Sequence, residues 1–338
     1  MTTVLVTGGA GFIGSHLVER LLDTGAAVRI LDNLSTGSLH NLQGAAHRVR
    51  TQADSSRGIP NGGRLEVVIG DIRDGALVRK ATRSVDAVFH LAAVPSTALG
   101  DRMSPSELET VNVQGTLNVL QAAVTEGVGR LIFASSASVY GTPESVPVFE
   151  DCPPKPESLF AASKLAAEMY CRTYSTIHKL EVVTLRYFTV YGPRQVSATD
   201  GALIPELIEA LRQHPTALAR DRATEEDLTY VDDAVEATWA AAAAPQAAGH
   251  SINIGSGRMA SVLEILHLLH HLLKLSPVEG VSPTPARSSQ LQAATTLAAR
   301  LLGCTPRVSL AMGLTRVVRA LTDPELFDDM ELIGVRTQ

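Results

Sequence analysis

A glycine-rich stretch near the amino terminus constrains the fold of this chain most. Residues 7–14 read Thr-Gly-Gly-Ala-Gly-Phe-Ile-Gly, directly after the apolar residues 4–6 and before a helical pattern. In that setting Gly8 permits a tight turn, Gly11 lets backbone N–H groups approach a pyrophosphate, and Gly14 lets helix and strand pack closely. The amino terminus of the helix then faces the anion. The stretch therefore predicts a dinucleotide-binding βα unit.

Strand and helix patterns alternate along the first two thirds of the chain. Short apolar runs separated by helical periodicity are typical of βαβ units and a parallel sheet. We predict strands near residues 3–7, 27–31, 66–69, 86–91, 130–135 and 181–186, and helices near 12–23, 76–83, 105–127 and 160–178. The fold class is therefore α/β, with a Rossmann-type doubly wound parallel sheet.

The pattern changes near residue 190, where helices are interleaved with short strands, proline and glycine. Helices are predicted near 202–213, 232–244, 261–274, 290–302 and 309–321, with a strand near 228–231. Residues 45–63 are polar and rich in Gly, Ser and Arg, which predicts a surface loop. We expect a Rossmann domain over 1–189 and a smaller C-terminal α/β substrate-binding lobe over 190–338, with some segments returning to the Rossmann core.

Composition and charge argue against several classes of protein. The 338 residues are 45% hydrophobic, with a net charge of −6 and no tract dense in Lys or Arg, which argues against a nucleic-acid partner. Three scattered cysteines, Cys152, Cys171 and Cys304, have neither disulfide nor zinc-site spacing, so no metal is expected. No leader pattern and no uninterrupted apolar run of about 18 residues is present. We expect a soluble cytoplasmic protein without membrane contact.

A carboxylate ends the second predicted strand. Asp32 follows the glycine-rich stretch by about 20 residues, where a dinucleotide-binding fold binds the ribose 2′-hydroxyl. An acidic side chain at that place repels a 2′-phosphate. NAD is therefore favoured over NADP.

Five short motifs, in order, resemble the NAD-dependent epimerase/dehydratase family, which are extended short-chain dehydrogenases/reductases acting on nucleotide sugars. They lie at residues 8–14, 32–35, 70–72, 90–93 and 191–194, in a match that covers about 4–320. The resemblance implies that 71–72 flank the adenine, 91–93 lie by the pyrophosphate and ribose, and 187–190 lie against the nicotinamide ribose and the substrate. The NAD contacts that it implies are Gly8, Gly11, Phe12, Ile13, Gly14, Asp32, Asn33, Leu34, Ser35, Gly37, Asp71, Ile72, Leu91, Ala92, Ala93, Asn112, Lys164, Tyr187 and Val190.

The segment 156–168 resembles the family's catalytic Tyr-x-x-x-Lys segment, but Phe160 occupies the tyrosine position. A tyrosine has an unperturbed pKa near 10, so it needs a cationic lysine one helical turn away to stabilise its phenolate as a base. Lys164 has the i, i+4 spacing that places it on the same helix face. Phe160 lacks the acid–base oxygen, and losing a general base costs roughly 10²–10⁴ in rate. The catalytic set implied by the resemblance is Ser136, Phe160 and Lys164.

Two interpretations of Phe160 stay open. It is either an introduced change that traps a bound complex, or a native residue. If it is native, another protein group, a substrate hydroxyl or a bound water transfers the proton, or the protein only binds NAD. The intact surroundings of Phe160 favour the first interpretation.

A serine-rich segment, residues 135–141, follows a predicted strand and places hydroxyls at the carboxyl edge of the sheet, where ligands of such folds bind. By resemblance, Ser136 hydrogen-bonds the reacting hydroxyl. Sugar 4,6-dehydratases carry an Asp-Glu pair where this chain has Ala137 and Ser138, and decarboxylating relatives carry a Glu at the position of Ser138. Neither pattern is present, so the segment most resembles a 4-epimerase, which oxidises the sugar to a 4-keto intermediate, rotates it and returns the hydride.

Some substrate contacts of the family are altered. The contacts that the resemblance implies are Ser96, Ser136, Thr189 and Arg287. Val196 stands where uronate epimerases carry an Arg that pairs with the sugar carboxylate, which makes a uronate doubtful. Glu226 stands where relatives carry an Arg that clamps the diphosphate, although Arg220 and Arg222 offer compensation.

Three functions are therefore retained. The first is 4-epimerisation of a nucleotide sugar, and the second is epimerisation or dehydration of a nucleoside or sugar monophosphate without a diphosphate. The third is a non-catalytic NAD-binding protein. The resemblance also implies a homodimer formed through the helices near 105–127 and 160–178.

Overall fold

A parallel β-sheet lies at the centre of the computed structural model, which describes residues 2–51, 65–94, 104–195, 202–213, 225–275 and 291–322. The strands are β1 (Thr3–Thr7), β2 (Ala27–Asp32), β3 (Val49–Thr51), β4 (Leu65–Ile69), β5 (Ala87–His90), β6 (Arg130–Ser136), β7 (Glu181–Tyr187), β8 (Thr189–Tyr191), β9 (Glu225–Tyr230), β10 (Ser251–Ile254) and β11 (Met259–Ser261). Within the described ranges, eight of them form the main sheet in the order β10-β7-β6-β5-β1-β2-β4-β3. All of its neighbouring strands are parallel. The predicted Rossmann-type α/β fold is confirmed.

The helices cover both faces of this sheet. They are α1 (Phe12–Asp23), α2 (Gly75–Thr82), α3 (Pro105–Glu109), α4 (Thr116–Thr125), α5 (Leu159–His178), α6 (Leu203–Gln213), α7 (Val231–Ala243), α8 (Val262–Leu272), α9 (Thr296–Leu302) and α10 (Leu310–Thr322). In β1, Val4 and Val6 belong to the core layer under α1 and α7, whereas Leu5 belongs to the layer under α2, α4 and α5. Burial on both faces explains why the strands are apolar without alternation.

The predicted helix near 105–127 is interrupted by a π-helical segment. Residues Thr110–Gly115 form this segment between α3 and α4, and its Asn112 is buried. A π-helical turn widens the backbone locally and is frequent at functional sites. The predicted helix near 160–178 is α5, whose first turn is capped by the Ser158 hydroxyl accepting from the N–H of Ala161 at 3.1 Å.

The prediction of a surface loop over 45–63 is wrong at its beginning. Residues Leu39–Arg48 are 3-10 helical, and Val49–Thr51 form β3, which extends the sheet beyond β4. A three-residue strand is too short to show periodicity in the sequence, and only its pairing partner identifies it. Residues 52–64 lie outside the described part of the chain.

Part of the C-terminal half returns to the main sheet. Strand β10 pairs with β7, and α7 packs on α1, where the guanidinium of Arg20 contacts Glu236 at 2.8 Å and lies 4.2 Å from the ring centre of Trp239. Strands β8, β9 and β11 form a second, small sheet. The predicted strand near 228–231 lies earlier, because Val231 already begins α7. The domain boundary near residue 190 stays a prediction.

One further helix prediction shifts in a similar way. The helix expected from residue 290 begins only at Thr296, because Ala293 forms a bridge with Val148 that holds the preceding backbone extended. No helix in the described ranges is both long enough and apolar enough to span a bilayer.

Candidate active site

The glycine-rich loop lies at the carboxyl edge of the main sheet, between β1 and α1. Gly8 has a left-handed φ of +72°, and a Cβ there would lie 2.8 Å from the amide nitrogen of Ala92. A Cβ on Gly14 would overlap the carbonyl oxygen of Gly8. Gly11 is the N-cap of α1 and supplies no side chain, so no side-chain acceptor caps the amino terminus of this helix. The loop is therefore a close-packed backbone cradle with amide donors for an anion.

Asp32 holds this loop to the loop after β2. One carboxylate oxygen accepts from the N–H of Ala10 at 2.9 Å, and the other accepts from the N–H of Leu34 at 2.8 Å. Burial raises the pKa of Asp32, while the two backbone bonds oppose that change. A Cβ on Gly37 would lie 2.8 Å from the carbonyl carbon of Ala10, so this neighbouring loop also needs a glycine. The carboxylate thus positions the cradle itself, a role that a strand-end motif does not reveal.

A second carboxylate lies beside the loop after β2. The amide of Asn33 donates to Asp71 at 2.8 Å and accepts from the N–H of Ser35 at 3.0 Å. Arg73 also donates to Asp71, and this contact lowers the pKa of Asp71 to about 2. The neighbouring Ile72 is buried. The residues predicted to flank the adenine, Asp71 and Ile72, therefore lie beside the loop after β2. The side chain of Asp71 stays ionised at neutral pH.

A chain of buried hydrogen bonds runs behind the cradle. The Thr116 hydroxyl donates to the carbonyl of Asn112 at 2.6 Å, so it must accept from Nε2 of His90, which lies 2.9 Å away. Nδ1 of His90 is then the acceptor for the Thr7 hydroxyl at 2.7 Å, and that hydroxyl accepts from the N–H of Ala92 at 3.3 Å. Burial lowers the pKa of His90 to about 3, which agrees with a neutral ring. The chain fixes the ends of β1 and β5 against the π-helical segment.

Asn112 continues this chain to helix α5, which carries Phe160 and Lys164. Its side chain accepts from the N–H of Val94 at 2.8 Å and donates to the Ser163 hydroxyl at 3.0 Å. Ser163 in turn donates to the carbonyl of Phe160 at 2.8 Å. The backbone at residue 160 is therefore held in a defined place relative to the cradle.

Lys164 is buried one turn beyond Phe160. Its ammonium donates to the carbonyl of Ala134 in β6 at 2.6 Å and lies 4.9 Å from the ring centre of Phe133 and 6.0 Å from that of Phe160. Burial lowers the pKa of Lys164 from 10.5 to about 8. The lysine therefore lies next to the phenylalanine ring with one hydrogen bond, and it retains hydrogens for further acceptors.

Ser136 ends β6, two residues beyond the carbonyl that Lys164 contacts. Its hydroxyl oxygen accepts from the N–H of Ser138 at 3.2 Å and from the Ser138 hydroxyl at 2.9 Å. Because both bonds use the oxygen of Ser136, its own O–H remains available to donate. The two serines and Ala137 leave no carboxylate at this turn.

A buried ion pair close to Lys164 is not predicted from the sequence. Arg186 in β7 donates two hydrogen bonds to Glu168 in α5, at 3.0 and 2.7 Å, and a third to the Tyr140 hydroxyl at 2.9 Å. Glu168 also accepts from the Ser135 hydroxyl. Two signals were available: Glu168 lies four residues beyond Lys164, and Arg186 is a charged residue in an otherwise apolar strand.

The residues after β7 lead from the main sheet to the small sheet. Tyr187 pairs with Ser136 across β6 and β7, and its hydroxyl donates to Thr238 in α7 at 2.6 Å. Val190 is buried in the core beside this tyrosine. The Thr189 hydroxyl donates to Glu226 in β9 at 2.7 Å. Five residues discussed from the sequence lie outside the described part of the chain: Ser96, Val196, Arg220, Arg222 and Arg287.

This arrangement matches known proteins along most of the chain. The model of the "NAD dependent epimerase/dehydratase family" matches residues 4–255. A UDP-glucose 4-epimerase of Mycolicibacterium smegmatis is 36% identical over 321 residues, which cover 93% of this chain and 96% of that protein.

Two solved structures share the fold closely. A Tyr-to-Phe mutant of the UDP-glucuronic acid 4-epimerase of Bacillus cereus, in complex with UDP-4-deoxy-4-fluoro-glucuronic acid and NAD, is 31% identical with a TM-score of 0.81 and covers 95% of this chain and 99% of its own. A double mutant of the dTDP-glucose 4,6-dehydratase DesIV of Streptomyces venezuelae, with NAD bound, is 32% identical with a TM-score of 0.81 and covers 96% of this chain and 98% of its own.

Proposed function

This chain belongs to the NAD-dependent epimerase/dehydratase family, a family of enzymes with NAD as cofactor, and from that membership we propose that it epimerises a nucleotide sugar at C4. The proposal rests on the grouping of Ser136, Phe160 and Lys164 at the sheet edge that also carries the glycine cradle. Relatives of both epimerase and dehydratase type share the fold, so the local chemistry has to decide between them.

The cradle fits the pyrophosphate of NAD for two reasons. Close packing excludes side chains from its glycines, and the amino terminus of α1 has no side-chain cap, so its N–H groups can bind an anion. Bound NAD supplies the acceptor and donor of a hydride at the sugar carbon. The protein has to position the sugar hydroxyl and to move its proton. In the proposal, Ser136 donates a hydrogen bond to the reacting oxygen, and the cation of Lys164 stabilises negative charge that develops there.

Phe160 occupies the place where the general base acts in this family. A phenylalanine ring fills the space but transfers no proton. The proposal is therefore that the chain binds cofactor and sugar in the reactive geometry and turns over slowly. Its rate is lower by roughly 10²–10⁴ than that of the same protein with tyrosine at residue 160, because this factor is the usual contribution of a positioned base.

The turn after β6 favours epimerisation over dehydration. Loss of water requires an acid and a base beside the sugar, whereas Ala137 is apolar and the Ser138 hydroxyl is bonded to Ser136. Oxidation and hydride return at the same carbon require no further acid. A 4-epimerase is the outcome that this turn supports best.

The experiment is a product analysis of the Phe160→Tyr variant. The variant is loaded with NAD and incubated in separate reactions with UDP-hexoses, dTDP-hexoses and sugar monophosphates, and the sugar is examined by NMR. We expect the C4 epimer, and we expect the further substitution Ser136→Ala in the same variant to suppress it. A 4-keto-6-deoxy product would support the dehydratase alternative. If no sugar nucleotide or sugar monophosphate reacts, the non-catalytic NAD-binding function is favoured.

We also propose that two copies of the chain pair through α5. This helix exposes large apolar side chains, including 65% of Met169 and 66% of Ile177. Such a face is typical of a protein interface. Sedimentation should show a dimer that dissociates when both residues are changed to Glu. The same change at Met312 in α10, which is 51% exposed, should leave the dimer intact. A parent protein that sediments as a monomer contradicts the proposal.

The remaining proposals concern organisation and compartment. We propose residues 190–338 as the substrate lobe, with β10 and α7 as the segments that return to the main sheet. The three cysteines are free thiols, which is compatible with a reducing compartment such as the cytoplasm.

A further inference from the structure

Ser138 lies two residues beyond Ser136 in the turn after β6. Ser136 has an extended backbone and is the N-cap of the 3-10 turn Ala137–Tyr140. Ala137 and Val139 are buried in an apolar cluster, whereas Ser136 and Ser138 are both half-buried. The apolar residues of the turn therefore pack inward, and the two hydroxyls remain together at the edge of the main sheet.

Backbone groups close this turn without the Ser138 hydroxyl. The N–H of Ser138 donates to the Ser136 oxygen at 3.2 Å, which is the usual capping contact of a serine. The carbonyl of Ser138 accepts from the N–H of Gly141 at 3.1 Å. The Ser138 hydroxyl donates a second bond to the Ser136 oxygen at 2.9 Å, within the same turn. Because this bond connects no separate elements, its effect falls on Ser136 itself.

The two donors on the Ser136 oxygen determine what the proton of Ser136 can do. A serine oxygen has two lone pairs and carries one hydrogen. The N–H and the O–H of Ser138 occupy both lone pairs of Ser136, so Ser136 can donate a bond but can accept no further one. Bonds received by a hydroxyl oxygen also polarise its O–H and strengthen the bond that it donates. Ser136 is therefore held as a donor.

A pure donor suits the oxidation of an alcohol. As the hydride leaves the sugar carbon, the hydroxyl proton passes to the general base, and negative charge builds up on the sugar oxygen. A hydrogen bond donated to that oxygen is stronger in the transition state than in the ground state, so it accelerates the reaction. If Ser136 had a free lone pair, it would also accept from the sugar hydroxyl, and this bond would retain the proton that has to leave.

We propose that Ser138 is a positioning residue for Ser136: by filling both acceptor sites of Ser136, it directs the Ser136 proton to the reacting sugar oxygen. This inference rests on the proposed function, in which Ser136 contacts that oxygen, and it adds a residue that acts on the reaction through Ser136. The Ser138 hydroxyl therefore raises the turnover number and has little effect on the affinity for the sugar, because the bond that it strengthens forms mainly in the transition state.

The experiment measures C4 epimerisation by the NAD-loaded Phe160→Tyr variant with UDP-glucose or, if that does not react, with dTDP-glucose. Ser138→Thr and Ser138→Val are added separately, because threonine and valine have the same shape and differ in the hydroxyl. We expect Ser138→Thr to keep the turnover number within about twofold and Ser138→Val to lower it about three- to tenfold, the usual effect of one hydrogen bond. The Michaelis constant should change by less than about twofold. Ser138→Ala removes the same hydroxyl without added volume and should match Ser138→Val.

A double-mutant cycle distinguishes positioning from a structural role. In a protein that also carries Ser136→Ala, the Ser138 hydroxyl has no oxygen to act on, so Ser138→Val should change the turnover number by less than about twofold. A damaged turn would instead lower the turnover number equally in both backgrounds. The matched control is Thr142→Val, which removes an exposed hydroxyl that donates to Glu157 at 3.0 Å and should leave the turnover number unchanged.

Each outcome has a distinct meaning. A lower turnover number with Ser138→Val that is absent with Ser138→Thr, and that disappears in the Ser136→Ala background, supports the positioning role. Equal losses of turnover in both backgrounds, equal losses with Ser138→Thr and Ser138→Val, or no loss at all overturn it, while the proposed function stands because the C4 epimer still forms. If Phe160→Tyr with both serines intact forms no C4 epimer from either sugar nucleotide, the proposed function fails and the positioning role fails with it.

Discussion

The buried pair of Arg186 and Glu168 allows the sharpest prediction about stability. Both side chains are 4% exposed, and two hydrogen bonds join them between β7 and α5. The substitution Arg186→Met leaves the Glu168 carboxylate buried, and among the described residues the Ser135 hydroxyl is then its remaining hydrogen-bond partner. Breaking a buried pair by removing one partner costs about 3–5 kcal/mol of unfolding free energy. We expect a loss of that size from urea unfolding at neutral pH.

The control is an ion pair of the same chemistry at the surface. Arg258 and Glu264 are joined at 2.6 Å, but their side chains are 64% and 36% exposed. Water screens such a pair, so Arg258→Met should cost about 0–1 kcal/mol. The double variant Arg186→Met with Glu168→Met should recover most of the loss, because no unpaired charge remains. A loss for Arg186→Met no larger than that of the surface control would refute this reasoning.

Two further predictions concern the lysine and the cradle. Because the pKa of Lys164 is about 8 in the folded protein and 10.5 in the unfolded chain, the unfolded chain binds more protons between these values, and stability rises with pH across that window. Each pKa unit corresponds to about 1.4 kcal/mol, so the unfolding free energy of the parent, measured with urea, should rise by about 3 kcal/mol relative to that of Lys164→Met between pH 8 and 10.5. Parallel pH profiles of the two proteins would contradict this. In Asp32→Asn, one of the two carboxylate oxygens that accept from the N–H groups of Ala10 and Leu34 becomes an NH₂ group, which cannot accept. Calorimetry should therefore show that NAD binds roughly tenfold more weakly or worse. An unchanged dissociation constant would show that Asp32 does not position the cradle.

Local motifs were the predictable part of this protein. The glycine loop, Asp32 and Lys164 are recognisable because each belongs to a short motif of fixed spacing, which is visible in the sequence without knowledge of the tertiary contacts. Strands buried on both faces leave long apolar runs, so β1, β2, β6 and β7 were predicted close to their observed ends. The roles predicted for such segments rest on their spacing and on the resemblance to the family.

The contacts that join distant segments were not predictable. Glu168 and Arg186 are paired only because α5 packs on β6 and β7, and Glu226 reaches Thr189 only because β8 and β9 align in a second sheet. Strands β3 and β10 join the main sheet through partners that no local pattern specifies. The chain of bonds through His90 depends on a π-helical turn that helical periodicity conceals. Each of these features is set by tertiary pairing and not by local propensity.

The most direct test is the rate of hydride transfer when the missing tyrosine oxygen is restored at residue 160. The NAD-loaded parent and its Phe160→Tyr variant are mixed rapidly with UDP-glucose, and the absorbance of NADH is followed. We predict that NADH forms in the variant about 10²–10⁴ times faster than in the parent, with similar dissociation constants for the sugar in both proteins. Equal rates in the two proteins, or no NADH in the variant at saturating sugar, would contradict the assignment of residue 160 as the position of the general base.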